Sequence, residues 1–400
     1  VLLDGILLPD SLIYVGPHAF EETAYLLNPD NWTGSFLFSG HCLLAADPDF
    51  AGDLQIPDGT NLIAGGAFTG CGLTSVSMPD GLLSVGPEAF MGCARLTSVS
   101  FNPDLGYLGW SAFKDCESLL SADLPASLDS VFSETFAGCS SLASVSFGPR
   151  VEFIGQNAFA GCESLASAEL PDTLTDIGSG AFSGCGSLKE IFIPKNVRSI
   201  GSGAFEAGIL ETLTVDAENS TFTSSGNCLI NRSQRSVVLG VGEFEIPTDI
   251  NLYRIEPRAF YGNTSVRTVV IPAGITSIGE SAFEGCSNLE NLTILSDYLH
   301  DIGQKAFRGC ASLTSLDLSM VETIYQNAFE GCESLNRVQL SVYAWSLGRY
   351  EYDDYYFYLY EVLMDPEDWE SVARLITGQY CGYIWTQDSG IFWNKPVVSG

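Results

Sequence analysis

Val151-Glu152-Phe153-Ile154-Gly155-Gln156-Asn157-Ala158-Phe159-Ala160-Gly161-Cys162 is answered by Leu174-Thr175-Asp176-Ile177-Gly178-Ser179-Gly180-Ala181-Phe182-Ser183-Gly184-Cys185, the same phrase displaced by 23 residues. In both, apolar residues stand eight and five positions before the phenylalanine, a glycine follows the second of them, and a cysteine comes three positions after the ring. Working outward, the phenylalanine of this phrase recurs as Phe20, Phe68, Phe90, Phe113, Phe136, Phe159, Phe182, Phe205, Phe260, Phe283, Phe307 and Phe329. Between Phe68 and Phe205 the step is 22 once and 23 five times. A fixed step of this length is the mark of a repeat architecture.

The position five before each phenylalanine is apolar in every copy, from Val15 and Ile63 to Ile302 and Ile324, and eight of the twelve are followed by glycine. That glycine implies either a left-handed corner or a close approach of two backbones. Eight before the ring the residue is apolar in eleven copies, Thr60 being the exception. After the cysteine, Leu142-x-x-Val145-x-Phe147 and Leu188-x-x-Ile191-x-Ile193-Pro194 end in two-residue alternation, which is a short half-buried strand closed by proline. One such coil cannot bury its own apolar edge. Neighbours must therefore stack, and equivalent side chains become ladders through the interior.

The run Ile193-Pro194-Lys195-Asn196-Val197-Arg198-Ser199-Ile200-Gly201-Ser202-Gly203-Ala204-Phe205, continued elsewhere as Gly-Cys-x-x-Leu, resembles the BspA-type leucine-rich repeat family over about residues 5 to 340. Gly208, Asn263 and Thr23 depart from it by replacing the cysteine. The resemblance implies a right-handed leucine-rich-repeat solenoid, usually exported by host-associated bacteria or found on protozoan parasites. It implies adhesion to host or neighbouring-cell proteins, and no catalytic residues. The expected fold is an α/β-type repeat solenoid of about 12 coils of 23 residues with short parallel strands, spanning 1–340.

The steps of 48 from Phe20 to Phe68 and 55 from Phe205 to Phe260 are each too long for one coil. Both gaps hold one internal phrase, Phe36-Leu37-Phe38-Ser39-Gly40-His41-Cys42-Leu43-Leu44 and Phe222-Thr223-Ser224-Ser225-Gly226-Asn227-Cys228-Leu229-Ile230. Apolar runs flanking polar turns predict hairpin insertions at about 21–55 and 206–246. After Leu340 the period stops, and 341–400 hold nine of the sixteen tyrosines and four of the six tryptophans. There Asp365-Pro366-Glu367-Asp368-Trp369 starts a helix that Gly378 ends. Gln387-Asp388-Ser389-Gly390 turns a hairpin, and the segment is expected to cap the last coil. At the other end Val1–Pro9 reads as the strand of a repeat already under way, without the basic start and cleavage site of an export signal.

The chain has 49 Asp plus Glu against 17 Lys plus Arg, a formal charge of -32, so its field repels phosphate backbones and anionic lipid. Nucleic acid is not an expected partner. With 46% hydrophobic and 16% charged residues the chain has the apolar content to fold. The most apolar tract, Tyr355–Met364, is interrupted by Glu361 and too short to span a bilayer, so no membrane insertion is expected.

Twelve cysteines in an exported chain invite disulfides. Cysteines at one position of successive coils have parallel Cβ vectors separated by the coil spacing, the wrong geometry for a bridge. They read as buried reduced thiols. No paired Cys-x-x-Cys spacing points to a metal, and no cofactor motif appears. His18 and His300 occupy solvent-facing positions of the coil, His41 lies in the first insertion, and three histidines offer little material for a triad. Asp47, Asp49 and Asp53 have part of a calcium-loop spacing without the rest of it.

The outward position of the longer strand carries Ser77, Ser100, Asp123, Ser146, Glu169, Phe192, Thr293, Asp317 and Gln339, a small, polar track poor in the Trp, Tyr and Arg that dominate interfaces. Tyr350, Tyr352, Tyr355, Tyr356 and Tyr358 supply such side chains and are the candidate ligand-binding residues. Three functions follow in order: a non-catalytic, adhesin-like surface or secreted scaffold for a host extracellular or cell-surface protein; carbohydrate binding through the terminal aromatics; and a glycoside hydrolase using an unassigned acid pair.

Overall fold

The computed structural model describes residues 6–9, 11–206, 210–319, 321–340, 346–349, 384–387 and 390–394, and divides the chain into two compact units, Val1–Leu210 and Glu211–Gly400. The helix expected at 365–378 lies outside the described residues.

In the first unit each coil contributes two parallel strands, so two ladders run along it. The longer ladder includes Ser121–Asp123, Ser144–Ser146 and Ser167–Glu169, paired so that Ala122 meets Val145 and Val145 meets Ala168. These middle residues are buried while the serines and acids beside them are exposed, the alternation expected of a half-buried strand. The short strands have two residues each: Tyr107–Leu108 ends one hydrogen-bonded sheet, and Ser130–Val131, Phe153–Ile154, Asp176–Ile177 and Ser199–Ile200 form the next. Val131, Ile154 and Ile177 line up inward, at most 1% exposed.

The third side of the coil is the Ala-Phe turn. Its amides donate to the next coil: Phe136 N to Ala158 O at 2.8 Å, Gly138 N to Ala160 O at 2.7 Å, and the same one coil on from Phe159 and Gly161. Buried backbone is thereby paired on all three sides. The turn needs two left-handed residues per coil. One lies two before the ring, as Glu134 (φ 59°) and Asn157 (φ 53°), and one two after it, as Gly138 (φ 76°) and Gly161 (φ 74°). Of the two readings of the glycine four before the ring, a left-handed corner or a close approach of backbones, the second holds. An ideal Cβ on Gly178 would stand 2.5 Å from the carbonyl carbon of Gly155 in the previous coil. Neither residue is left-handed; coils approach here too closely for a side chain.

The rings form the core. From Phe68 to Phe205 successive phenylalanines stack with centroids 5.0 to 5.6 Å apart and interplanar angles of 2 to 8°, within the range of offset aromatic pairs. Phe20, in the first coil, is only partly buried, and Ile200 likewise. Thr60, the polar exception in the inward row, is buried and donates to Pro57 O at 2.7 Å.

The second unit repeats this plan. Arg254–Ile255, Ser277–Ile278, Asp301–Ile302 and Thr323–Tyr325 form its short ladder, Thr268–Ile271 pairs with Asn291–Ile294, and Ser315–Leu318 with Arg337–Leu340, all parallel. Phe260, Phe283, Phe307 and Phe329 stack 4.7 to 5.3 Å apart.

Both long steps contain antiparallel hairpins, Phe36–Ser39 with Cys42–Ala46 and Phe222–Ser225 with Cys228–Asn231. In the second, Cys228–Asn231 also pairs antiparallel with Ser236–Gly240. The last strand of each antiparallel set then enters the short ladder in parallel, Cys42 and Leu43 against Leu62 and Ile63, Ser236 and Val237 against Arg254 and Ile255. Ile6–Pro9 are irregular rather than strand: Leu8 N donates to Ser39 Oγ, which donates to Ile6 O, so the hairpin and not a ladder holds this segment. Helix is scarce among the described residues, being one turn at Ala24–Leu27, capped by Thr23, and a 3-10 turn at Pro29–Asn31. At the other end Ile384–Gln387 and Gly390–Asn394 form the expected hairpin, and Gly390–Asn394 pairs antiparallel with Arg337–Leu340.

Candidate binding surface

The cysteines contribute to the interior and not to a reactive site. The eleven described ones are buried thiols outside any disulfide, and Cys381 lies outside the described residues. The ladder thiols after Cys71 reach the carbonyl of the phenylalanine in the coil before them, as Cys93 to Phe68 O at 3.1 Å, Cys139 to Phe113 O at 3.1 Å and Cys286 to Phe260 O at 3.2 Å, while Cys71 reaches Asp47 O at 3.6 Å. A small apolar residue with a weak donor suits that place. Burial pushes Cys93, Cys139, Cys185, Cys228, Cys286 and Cys332 up to about 12, away from the thiolate that reactivity needs. Where Asn263 replaces the cysteine, its amide donates to Gly242 O at 2.9 Å, so the coil keeps a donor at that position.

The polar candidates are accounted for by local contacts. His18 Nδ1 lies 3.0 Å from Glu21 and His300 Nδ1 3.0 Å from Glu322, all well exposed, and His41 Nδ1 meets Gly59 O at 2.8 Å. Asp47 accepts the amide of Asp49. Asp53 accepts from Thr74 and Ser75, and these hydrogen bonds, Ser75 first, hold its carboxyl below its ordinary value. That is the opposite of the shift a general acid requires.

Outward positions of the longer strands are exposed as expected, including Ser77, Ser146, Glu169 and Phe192, with Gln339 half-buried. The candidate tyrosines Tyr350, Tyr352, Tyr355, Tyr356 and Tyr358 lie outside the described residues. Two hollows are open to solvent. One of about 320 Å³ in the first unit is lined by Phe20, Leu26 and Trp32. The other, about 310 Å³ in the second unit, runs over Arg254, Glu256, Glu280 and Asp301.

Another surface, in the first unit, was missed by sequence reasoning. On the outer side of the short ladder Tyr107 packs at 5.4 Å from Phe132 and at 6.0 Å, edge to face, from Tyr14. Phe153 lies on the next sheet of short strands, at the outward position that pairs with Ser130, and Trp110 stands three residues beyond Tyr107. Tyr14, Trp110 and Phe153 are 45%, 40% and 37% exposed, and exposed apolar surface of this kind marks interaction sites. Phe132 occupies the place where other coils have glycine. Tyr14 arrives because Ser84 Oγ donates to Ile13 O at 2.7 Å, laying the first segment across the ladder. The available signal was the coincidence of Tyr107, Phe132 and Phe153 at outward positions of consecutive coils.

Such stacked coils, with two parallel ladders and a conserved inward pattern of Leu, Ile, Val, Phe and Cys, define a leucine-rich-repeat solenoid. The chain belongs to the BspA type leucine rich repeat family, whose model matches residues 51–135, 109–232 and 241–355. Among solved structures it is similar to a leucine rich cell surface protein from Faecalibacterium prausnitzii A2-165, at 27% identity and a TM-score of 0.55 over 78% of this chain and 85% of that one. A leucine-rich repeat protein from Bacteroides ovatus ATCC 8483 is similar at 28% identity and 0.54, over 76% and 84%. The pneumococcal vaccine antigen PcpA shares the fold at 17% identity and 0.54, over 78% and 87%. No curated protein matches this chain. No described helix is long and apolar enough to cross a membrane.

Proposed function

We propose that this chain is a non-catalytic scaffold, secreted or displayed at a cell surface, that recognises proteins in the manner of an adhesin. The observation that carries the reading is the exposed aromatic group on the short ladder of the first unit. Tyr and Trp are the side chains from which interfaces draw most of their energy, and here Tyr107 and Phe153 sit on hydrogen-bonded strands where little ordering remains to be done on binding. The likeness to the Faecalibacterium cell surface protein supports the location. The test is a screen of the full chain against extracellular and cell-surface proteins beside a glycan array. Protein binding is expected, and binding confined to glycans overturns the reading.

Residues 341–400 are proposed to cap the solenoid of residues 1–340. What supports this is the antiparallel pairing of Gly390–Asn394 with Arg337–Leu340, which occupies a strand edge otherwise open to another chain. A chain truncated after 340 is expected to aggregate; a monomeric truncation as stable as the parent overturns the cap.

A further inference from the structure

We propose that the aromatic face of the first unit docks a cationic segment of its partner protein, with Arg and Lys side chains laid over the rings of Tyr14, Tyr107, Trp110, Phe132 and Phe153. The inference rests on the scaffold reading above and specifies the chemistry of the partner. Ring faces carry negative electrostatic potential and attract guanidinium and ammonium groups, and guanidinium also stacks flat on them.

Charge around the rings agrees. Asp129 and Glu152 are exposed at equivalent positions of consecutive coils, immediately before Ser130 and Phe153, with Glu152 N bonded to Asp129 O at 2.8 Å. Asp176, which accepts from Thr175 Oγ1 at 2.6 Å through one carboxylate oxygen, is in register with Phe153 on the next strand. Carboxylates only accept hydrogen bonds and guanidinium only donates them, so this acidic side of the face matches Arg better than a neutral sugar, which needs both. The formal charge of -32 adds long-range attraction for a cation and none for a neutral glycan. Glu134 is not counted, because Lys114 holds it at 2.6 Å. The acidic run ends at Thr175, equivalent to Glu152 one coil on, with Arg198 a coil further, and Arg150 is an exposed cation two residues before Glu152.

Calorimetric titration of the full chain with a short alternating Arg-Gly peptide at physiological salt tests the proposal, with cellohexaose as the glycan arm. Phe153→Ala and Trp110→Ala leave the charge unchanged and are each expected to weaken the peptide about tenfold. Asp129→Asn with Glu152→Gln should weaken it and flatten its salt dependence. The residues are surface-exposed, so thermal unfolding of the variants should match the parent, and an altered midpoint moves the test to Phe153→Leu. No peptide binding by the parent, equal affinity in the aromatic variants, or binding of cellohexaose instead overturns the proposal. If a partner from the protein screen binds parent and aromatic variants alike, the docking face is wrong and the scaffold reading survives; a screen without protein binders removes the scaffold reading itself.

Discussion

The two units have the same interior and different short-ladder faces. In the first, outward positions carry Tyr107, Ser130 and Phe153; in the second, the corresponding residues are Arg254, Ser277, Asp301 and Thr323, with Arg254 bound to Glu256 at 2.6 Å. Inside, both units stack phenylalanines, seat ladder thiols on phenylalanine carbonyls of the preceding coil, and keep Ile, Val or Leu at the inward strand position. Packing fixes the interior because a change of one methylene is felt by both neighbouring coils. Nothing in the stacking constrains the outward positions, so they are free to diverge, and there the units acquire an aromatic surface and a charged one.

Alkaline pH should affect both units most. Three thiols in each, Cys93, Cys139 and Cys185, then Cys228, Cys286 and Cys332, are raised from 9.0 to about 12 by burial. A thiol is charged when deprotonated. The unfolded chain therefore ionises from its ordinary value while the folded one stays neutral, and stability is whole below pH 9 and lost as pH rises toward 12. Each pKa unit corresponds to about 1.4 kcal/mol per thiol, and the ladder adds several. Circular dichroism with alkylation mapped by mass spectrometry should show both sets reacting in one transition. Survival of one unit through that window would break the equivalence of the interiors.

Next in size, Phe159→Ala and Phe283→Ala should each cost about 3 to 5 kcal/mol in denaturant unfolding, because either leaves a cavity between two stacked rings. A loss under about 1 kcal/mol in one unit alone would mean that its coils collapse onto the gap.

Gly178→Ala should cost about 1 to 3 kcal/mol, since the new carbon meets backbone at 2.5 Å that cannot turn away. Gly186→Ala is the control: its nearest neighbour is Glu163 O at 3.6 Å, and no loss from close contact is expected.

The smallest effect should be a gain. In the second unit the left-handed position after the ring is always glycine, as Gly262, Gly285, Gly309 and Gly331, whereas the first unit has Asp115 there at φ 59°. Asp115→Gly removes left-handed strain of about 1 to 2 kcal/mol and restores part of it as chain entropy. A rise in the unfolding midpoint is expected, and a fall would show that the Asp115 side chain has a bonding role of its own.

Much of the interior was legible. The 23-residue step named the ladder, and the positions eight and five before each ring, together with the rings and the cysteines, are buried nearly throughout. Partial exposure of Phe20 was not foreseen, because its coil is followed by an insertion whose path the repeat does not encode. The glycine after Ile177 was read as either a left-handed corner or a close approach, and only coil-to-coil distances chose between them. Left-handed Glu134 and Asn157 carry no glycine to betray them, since three-sided stacking imposes their conformation. The thiol-to-carbonyl bonds depend on coil spacing, which residue types do not state.

The sequence by itself determined the repeat, the inward side chains, the two insertions and the terminal hairpin, because burying an apolar edge makes the same demand on every coil and so leaves a periodic trace. Only the tertiary structure decided which outward residues meet. Tyr14 reaches Tyr107 through the bond from Ser84 Oγ to Ile13 O, and Phe132 turns toward Tyr107 from a position where its neighbours have glycine. Such a surface is assembled from the registers of several coils and the path of one irregular segment, and no local period records either.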